Sequence, residues 1–107
     1  MIKFKQGVSV TTLAPQIILA IAVAESVYKE ITGTNLIITS GCDGQHLPNS
    51  KHYLGLAVDL RTKHLGRDRK VMVLTKLKEC LGAEYLVLFE NVDQPNEHFH
   101  IQYNANA

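Results

Sequence analysis

An aspartate and two histidines stand where a strand or a strand end would otherwise be apolar. Asp59 lies inside Leu56-Ala57-Val58-Asp59-Leu60-Arg61, a run that reads as a buried strand. An unpaired carboxylate in such surroundings is costly, so it must be paired or bound to a metal. His52 lies seven residues earlier, across a Gly55 that lets the backbone bend between them. Far along the chain, Glu97-His98-Phe99-His100 opens another strand. Two imidazoles and one carboxylate are a sufficient protein ligand set for catalytic zinc, which keeps its fourth position for water. The competing reading of the same residues is an Asp59 salt-bridged to Arg61 or Lys51, with surface histidines.

The elements that must position these residues follow from periodicity. Leu13, Ile17, Ile21, Ala24, Tyr28 and Ile31 recur at spacings of three and four and predict a first helix. Thr12 is its expected cap, Pro15 is tolerated in its first turn, and Gly33 is its expected stop. Asn35–Ser40 is a β-branched strand, and residues 41–51 have loop chemistry. In the strand around Asp59, alternation places Ala57, Asp59 and Arg61 on one face and Leu56, Val58 and Leu60 on the other. A second helix is expected over roughly residues 66–81, with Val71, Leu74, Leu77, Lys78 and Leu81 as its inner stripe and Gly82 at its end. Residues 85–89 and 99–103 complete a set of about four strands, with a turn over 93–96 between them. This order predicts an α+β fold: one small domain over residues 1–107, with two main helices packed on a mostly antiparallel sheet.

Composition narrows the function. With 107 residues, 46% of them hydrophobic, the chain is sized for one modest core. A net charge of +1 argues against nucleic acid as a partner, because such binders carry a strong basic excess on one face. The cluster Lys63, His64, Arg67, Arg69 and Lys70 reads as a solvated helix start, or alternatively as attraction to an anionic polymer such as cell-wall material. No stretch is apolar for the roughly 20 residues of a membrane span. Lys3, Lys5 and the apolar run ending in Ala22-Val23-Ala24 imitate a secretory signal. Gln16, Glu25 and Lys29 interrupt that run, and the amphipathic helix is the favoured reading, with synthesis in the cytoplasm. Cys80 reads as a small buried hydrophobe, Cys42 is undecided, and the two make no disulfide framework.

The order of the polar residues carries more. Ser50-Lys51-His52-Tyr53-Leu54-Gly55-Leu56-Ala57-Val58-Asp59 fits S-x-H-x-x-G-x-A-x-D at every fixed position, and Glu97-His98-Phe99-His100 fits a later E-x-aromatic-H element. The chain thereby resembles the zinc D-alanyl-D-alanine carboxypeptidase family over roughly residues 12–103. That family includes the vancomycin-resistance D-Ala-D-Ala dipeptidases and phage L-alanyl-D-glutamate endolysins. The resemblance implies a hedgehog/D-Ala-D-Ala peptidase-like fold and Zn2+ held by His52, Asp59 and His100. It also implies Glu97 as the catalytic carboxylate of a metallopeptidase acting on peptidoglycan peptides.

His98 is a rival or helper to Glu97, which remains the expected base. In an extended strand residues 98 and 100 share a face while 97 points away, unless the strand bends at its start. The wider fold group, lysostaphin-type peptidases included, uses an H-x-H element here. Many family members have an arginine soon after the strand-end Ser-Gly, whereas Ser40-Gly41 is followed by Cys42 and Asp43. The expected substitute is Arg61, two residues beyond Asp59 on the same strand face, or zinc alone. Ser50 is expected to orient the first ligand or touch substrate, and His46 to line the cleft. The leading expectation is a phage-type lysin, monomeric, released by lysis or carried in a virion. The alternatives are a catalytically silent zinc-containing binding domain, for which the hedgehog signalling domain is the precedent, and a metal-free virion structural protein.

Overall fold

The pleat of one sheet sorts this chain into a polar face that carries the chemistry and an apolar face that carries the core. A computed structural model describes residues 1–43 and 50–104. Its strands are β1 (Ile2–Phe4), β2 (Leu36–Ser40), β3 (Ala57–Arg61), β4 (Tyr85–Glu90) and β5 (His98–Tyr103). The helices are α1 (Pro15–Thr32) and α2 (Arg67–Leu81), and a 3₁₀ turn spans Lys51–Leu54. The strand order is β1-β2-β3-β5-β4, with β1 parallel to β2 and every other pair antiparallel. Two helices on a mostly antiparallel sheet is the expected α+β architecture, with one strand more than expected. That strand is β1, whose three residues are too few to show a period.

The core lies between the helices and one sheet face. Val58, Leu60, Val87, Phe99 and Ile101 pack against Ile17, Ala20, Ile21, Ala24, Val27 and Tyr28 of α1 and Val73 and Leu77 of α2. The α1 stripe matches its periodicity. In α2 the stripe is rotated from the expected one: Val73 is buried and Val71 is exposed, because Lys70, Val73, Leu74 and Leu77 form the inward face. Cys80 is exposed and not the buried hydrophobe expected, although it shares a helix face with Val73, because it lies in the last turn of α2. Of the basic cluster, His64 is on the surface, whereas Lys70 folds inward to a carboxylate. Thr12 does not cap α1. The cap position is Ala14, whose N–H donates to the Gly55 carbonyl at 2.9 Å, while the Thr12 hydroxyl points to the Cys42 sulfur.

That contact makes Gly55 a joint between the start of α1 and the turn that carries His52. Its φ of 71° is left-handed, and a Cβ there would overlap the carbonyl oxygen of Thr12. Left-handed backbone costs a non-glycine residue about 1–2 kcal/mol, and relieving the overlap adds about 1–3 kcal/mol. Gly55→Ala is therefore expected to destabilise the fold by about 2–5 kcal/mol, read as a lowered midpoint in urea. An unchanged midpoint would show that the α1 start gives way freely.

Candidate metal centre

The open face of the sheet is built by cross-strand pairing. Arg61 stands opposite His98, Asp59 opposite His100 and Ala57 opposite Gln102, so all six project to one side. Leu88 and Glu90 of β4 extend that face opposite His100 and His98. His52 reaches it from the 3₁₀ turn. The Ser50 hydroxyl accepts from the His52 backbone N–H at 3.2 Å, and Gly55 closes the turn by donating to the His52 carbonyl. Ser50 thus orients the first candidate ligand.

His52, Asp59 and His100 each offer a ligand atom, all within 4.8 Å of one another, and together they form a group that can hold a metal ion. Asp59 Oδ1 lies 3.2 Å from His52 Nε2 and 2.9 Å from His100 Nδ1. The outer nitrogen of each ring already has an acceptor. His52 Nδ1 donates to the Gly41 carbonyl at 2.8 Å, and His100 Nε2 donates to Gln102 Oε1 at 3.0 Å. Gln102 is held in turn by donating to Asn104 Oδ1 at 2.9 Å. With its outer nitrogen held by an acceptor, each ring turns its inner nitrogen towards the Asp59 carboxylate, an arrangement that can take a metal ion, and outer acceptors of this kind are what orient histidine ligands.

The charges agree. Burial alone would raise the Asp59 carboxyl, but hydrogen bonds from His100 and His52 and the nearby imidazoles hold it well below the usual range. Burial lowers the His100 imidazole, yet its bonds to Asp59 and Gln102 outweigh this and leave it raised. Asp59 pairs with the histidines, not with Arg61 or Lys51 as the competing reading of the sequence had it.

The two candidates for proton transfer part company. His98 sits on the open face, with Nδ1 donating to the Asn96 carbonyl at 2.8 Å and Nε2 3.0 Å from Glu90 Oε1 and 3.7 Å from Asp59 Oδ2. Glu97 is turned the other way. Its Oε1 accepts from the Thr62 hydroxyl at 2.5 Å and from Lys70 Nζ at 2.6 Å, and its Oε2 accepts from the Asp93 N–H at 2.8 Å. Burial would raise this carboxyl, but the bonds from Lys70, Thr62 and Asp93 hold it down to about 2. Glu97 borders the cleft, yet its oxygens brace the turn between β4 and β5.

The cleft over the triad has a volume of about 880 Å³, and Lys5, Ser50, Lys51, Arg61, Lys63 and Glu90 are among the residues lining it. Arg61 therefore lies beside the triad, where the sequence put the substitute for the missing arginine. His46 lies outside the described residues. Glu90, Gln102 and the Gly41 carbonyl were not singled out from sequence. The alternation His98-x-His100-x-Gln102 carried a signal for Gln102, whereas Glu90 needed the β4–β5 register. No helix among the described residues is long and apolar enough to cross a membrane. Comparison with family models and with curated proteins returns no match for this chain.

Proposed function

We propose that this protein is a zinc-dependent peptidase that hydrolyses an amide bond next to a D-amino acid in peptidoglycan stem or cross-link peptides, as a phage-type lysin. The observation that carries the reading is the convergence of His52 Nε2, His100 Nδ1 and Asp59 Oδ1 on the wall of an open cleft. Two imidazoles and a carboxylate suit zinc among divalent metals in a hydrolase. Bound there, zinc supplies polarisation of the scissile carbonyl and a lowered pKa for water.

The chain's own residues do the rest. The cations of the cleft, Arg61 foremost, orient the carboxylates of an anionic wall peptide. His98, on the same face as the triad, takes a proton from the attacking water and returns it to the departing amine. Water oxygen joins the carbonyl carbon, the carbon–nitrogen bond breaks, and the products are a carboxylate and an amine. Glu97, the carboxylate that the resemblance implies as catalytic, serves here to hold the turn that presents His98. Because its oxygens are occupied, a catalytically silent zinc-containing binding domain is the second reading.

Digestion of peptidoglycan with mass analysis of the fragments, run with zinc and with chelator, tests the proposal. Release of a new amine end that chelator abolishes is the expected result, and it names the bond. Bound zinc without any fragment from walls of several chemotypes would replace the peptidase with the binding domain.

A further inference from the structure

The triad uses one of the Asp59 carboxylate oxygens. Oδ1 faces His52 Nε2 at 3.2 Å and His100 Nδ1 at 2.9 Å. Oδ2 is the oxygen nearer His98, whose Nε2 lies 3.7 Å from it and 3.0 Å from Glu90 Oε1. The β4–β5 register puts Glu90 directly opposite His98, and both residues line the cleft. His98 is oriented as the two triad histidines are. One ring nitrogen is taken by an acceptor, here the Asn96 carbonyl at 2.8 Å, and the other is turned to carboxylate oxygen. A carbonyl only accepts, so Nδ1 carries the hydrogen, and Nε2 shares with the two carboxylates either a proton or a metal ion. The separations of 3.0 and 3.7 Å bracket the roughly 3.4 Å between ligands that each stand about 2.0–2.2 Å from a tetrahedral zinc ion.

We propose that His98 Nε2, Glu90 Oε1 and Asp59 Oδ2 form a second zinc site, bridged to the triad by the Asp59 carboxylate and filled only in excess zinc. Two doubly charged ions about 4 Å apart weaken each other's binding by about a thousandfold even at the dielectric of water. Arg61, opposite His98, adds its own charge to that repulsion. The triad therefore fills first. Uptake of the second ion displaces to solvent the proton that otherwise joins Nε2 to Glu90. With the ion on Nε2, that nitrogen carries no proton. On the peptidase reading above, on which this consequence alone rests, the filled second site withdraws His98 from proton transfer and stops turnover.

Calorimetric titration of the metal-free protein with zinc, with the imidazole nitrogens followed by NMR, tests the site without any substrate. Wild type should bind zinc in two steps, the second about a thousandfold weaker, and the His98 Nε2 resonance should move only in the second. His98→Gln should lose the second step and keep the first. Glu90→Gln should weaken the second step more than the first, which it also touches because the Glu90 charge reaches His100. A single step in wild type, a second step that persists in His98→Gln, or a second ion that leaves the His98 resonance unmoved would overturn the site. Hydrolysis of a wall fragment over the same zinc range tests the consequence. Wild-type kcat should fall to half at the midpoint of the second step, while the residual turnover of His98→Gln should not respond to excess zinc. Turnover that continues with both sites filled would overturn the withdrawal of His98. A wild type that cuts no fragment with one ion bound would remove the peptidase reading and leave the second site standing.

Discussion

Zinc added to the metal-free chain should bind at one ion per molecule and raise its melting temperature by on the order of 10 °C once zinc exceeds its dissociation constant by about a hundredfold. At that ratio the stabilisation is about 2.7 kcal/mol, and in a domain of this size each kcal/mol moves the midpoint by about 4–8 °C. Asp59→Asn keeps the shape of the side chain but removes the charge on which two imidazoles converge, so the shift should vanish. Gln102→Leu leaves all three ligands in place and frees only the outer nitrogen of His100, so affinity should fall about tenfold. The pH dependence follows from His100, whose imidazole is raised by its bond to Asp59. Below that raised value a proton must leave before the metal enters, and affinity should drop by about tenfold per pH unit. Titration with zinc at several pH values, followed by competition with a chelator, reads all of this. A melting shift that survives Asp59→Asn would move the metal elsewhere.

What the sequence disclosed depended on the length over which each signal acts. The α1 stripe runs through five turns, so its period was unmistakable, and the burial of Ile17, Ile21, Ala24 and Tyr28 follows it. The α2 stripe was misread by a rotation because Val71, Met72, Val73 and Leu74 are consecutive apolar residues, and only the fold decides which of them face inward. Lys70 could not be placed from sequence, since its inward turn answers Glu97, which comes 27 residues later. The triad was legible because Asp59 breaks an apolar strand and because the S-x-H-x-x-G-x-A-x-D and E-x-aromatic-H patterns single out His52 and His100 through the family resemblance. The outer acceptors were not, because the Gly41 carbonyl carries no side-chain signature and Glu90 acquires meaning only when β4 pairs with β5.

The opposite faces taken by Glu97 and His98 give two substitutions with opposite signatures. His98→Gln removes the imidazole beside Asp59, so zinc binding and stability should persist while kcat falls about 10²–10³-fold, within the range of a lost acid–base group. Glu97→Gln should do the reverse per folded molecule, keeping most of the turnover while losing stability. Its carboxyl is held down to about 2 in the fold against an ordinary 4.5, so it favours the native state above pH 4.5. That contribution fades as pH falls from 4.5 towards 2, because protonation then costs the folded chain its bond to Lys70. Discounted for solvent screening, the contribution at neutral pH is about 1–2 kcal/mol, or a melting temperature lowered by on the order of 10 °C. In Glu97→Gln the acid limb of the stability curve between pH 4.5 and 2 should flatten by the same amount. Urea unfolding across that pH range, with kcat measured at a temperature where both variants are folded, separates the roles. If Glu97→Gln loses turnover at full stability, its carboxylate must leave Lys70 and Thr62 during the reaction, and the base is Glu97 after all.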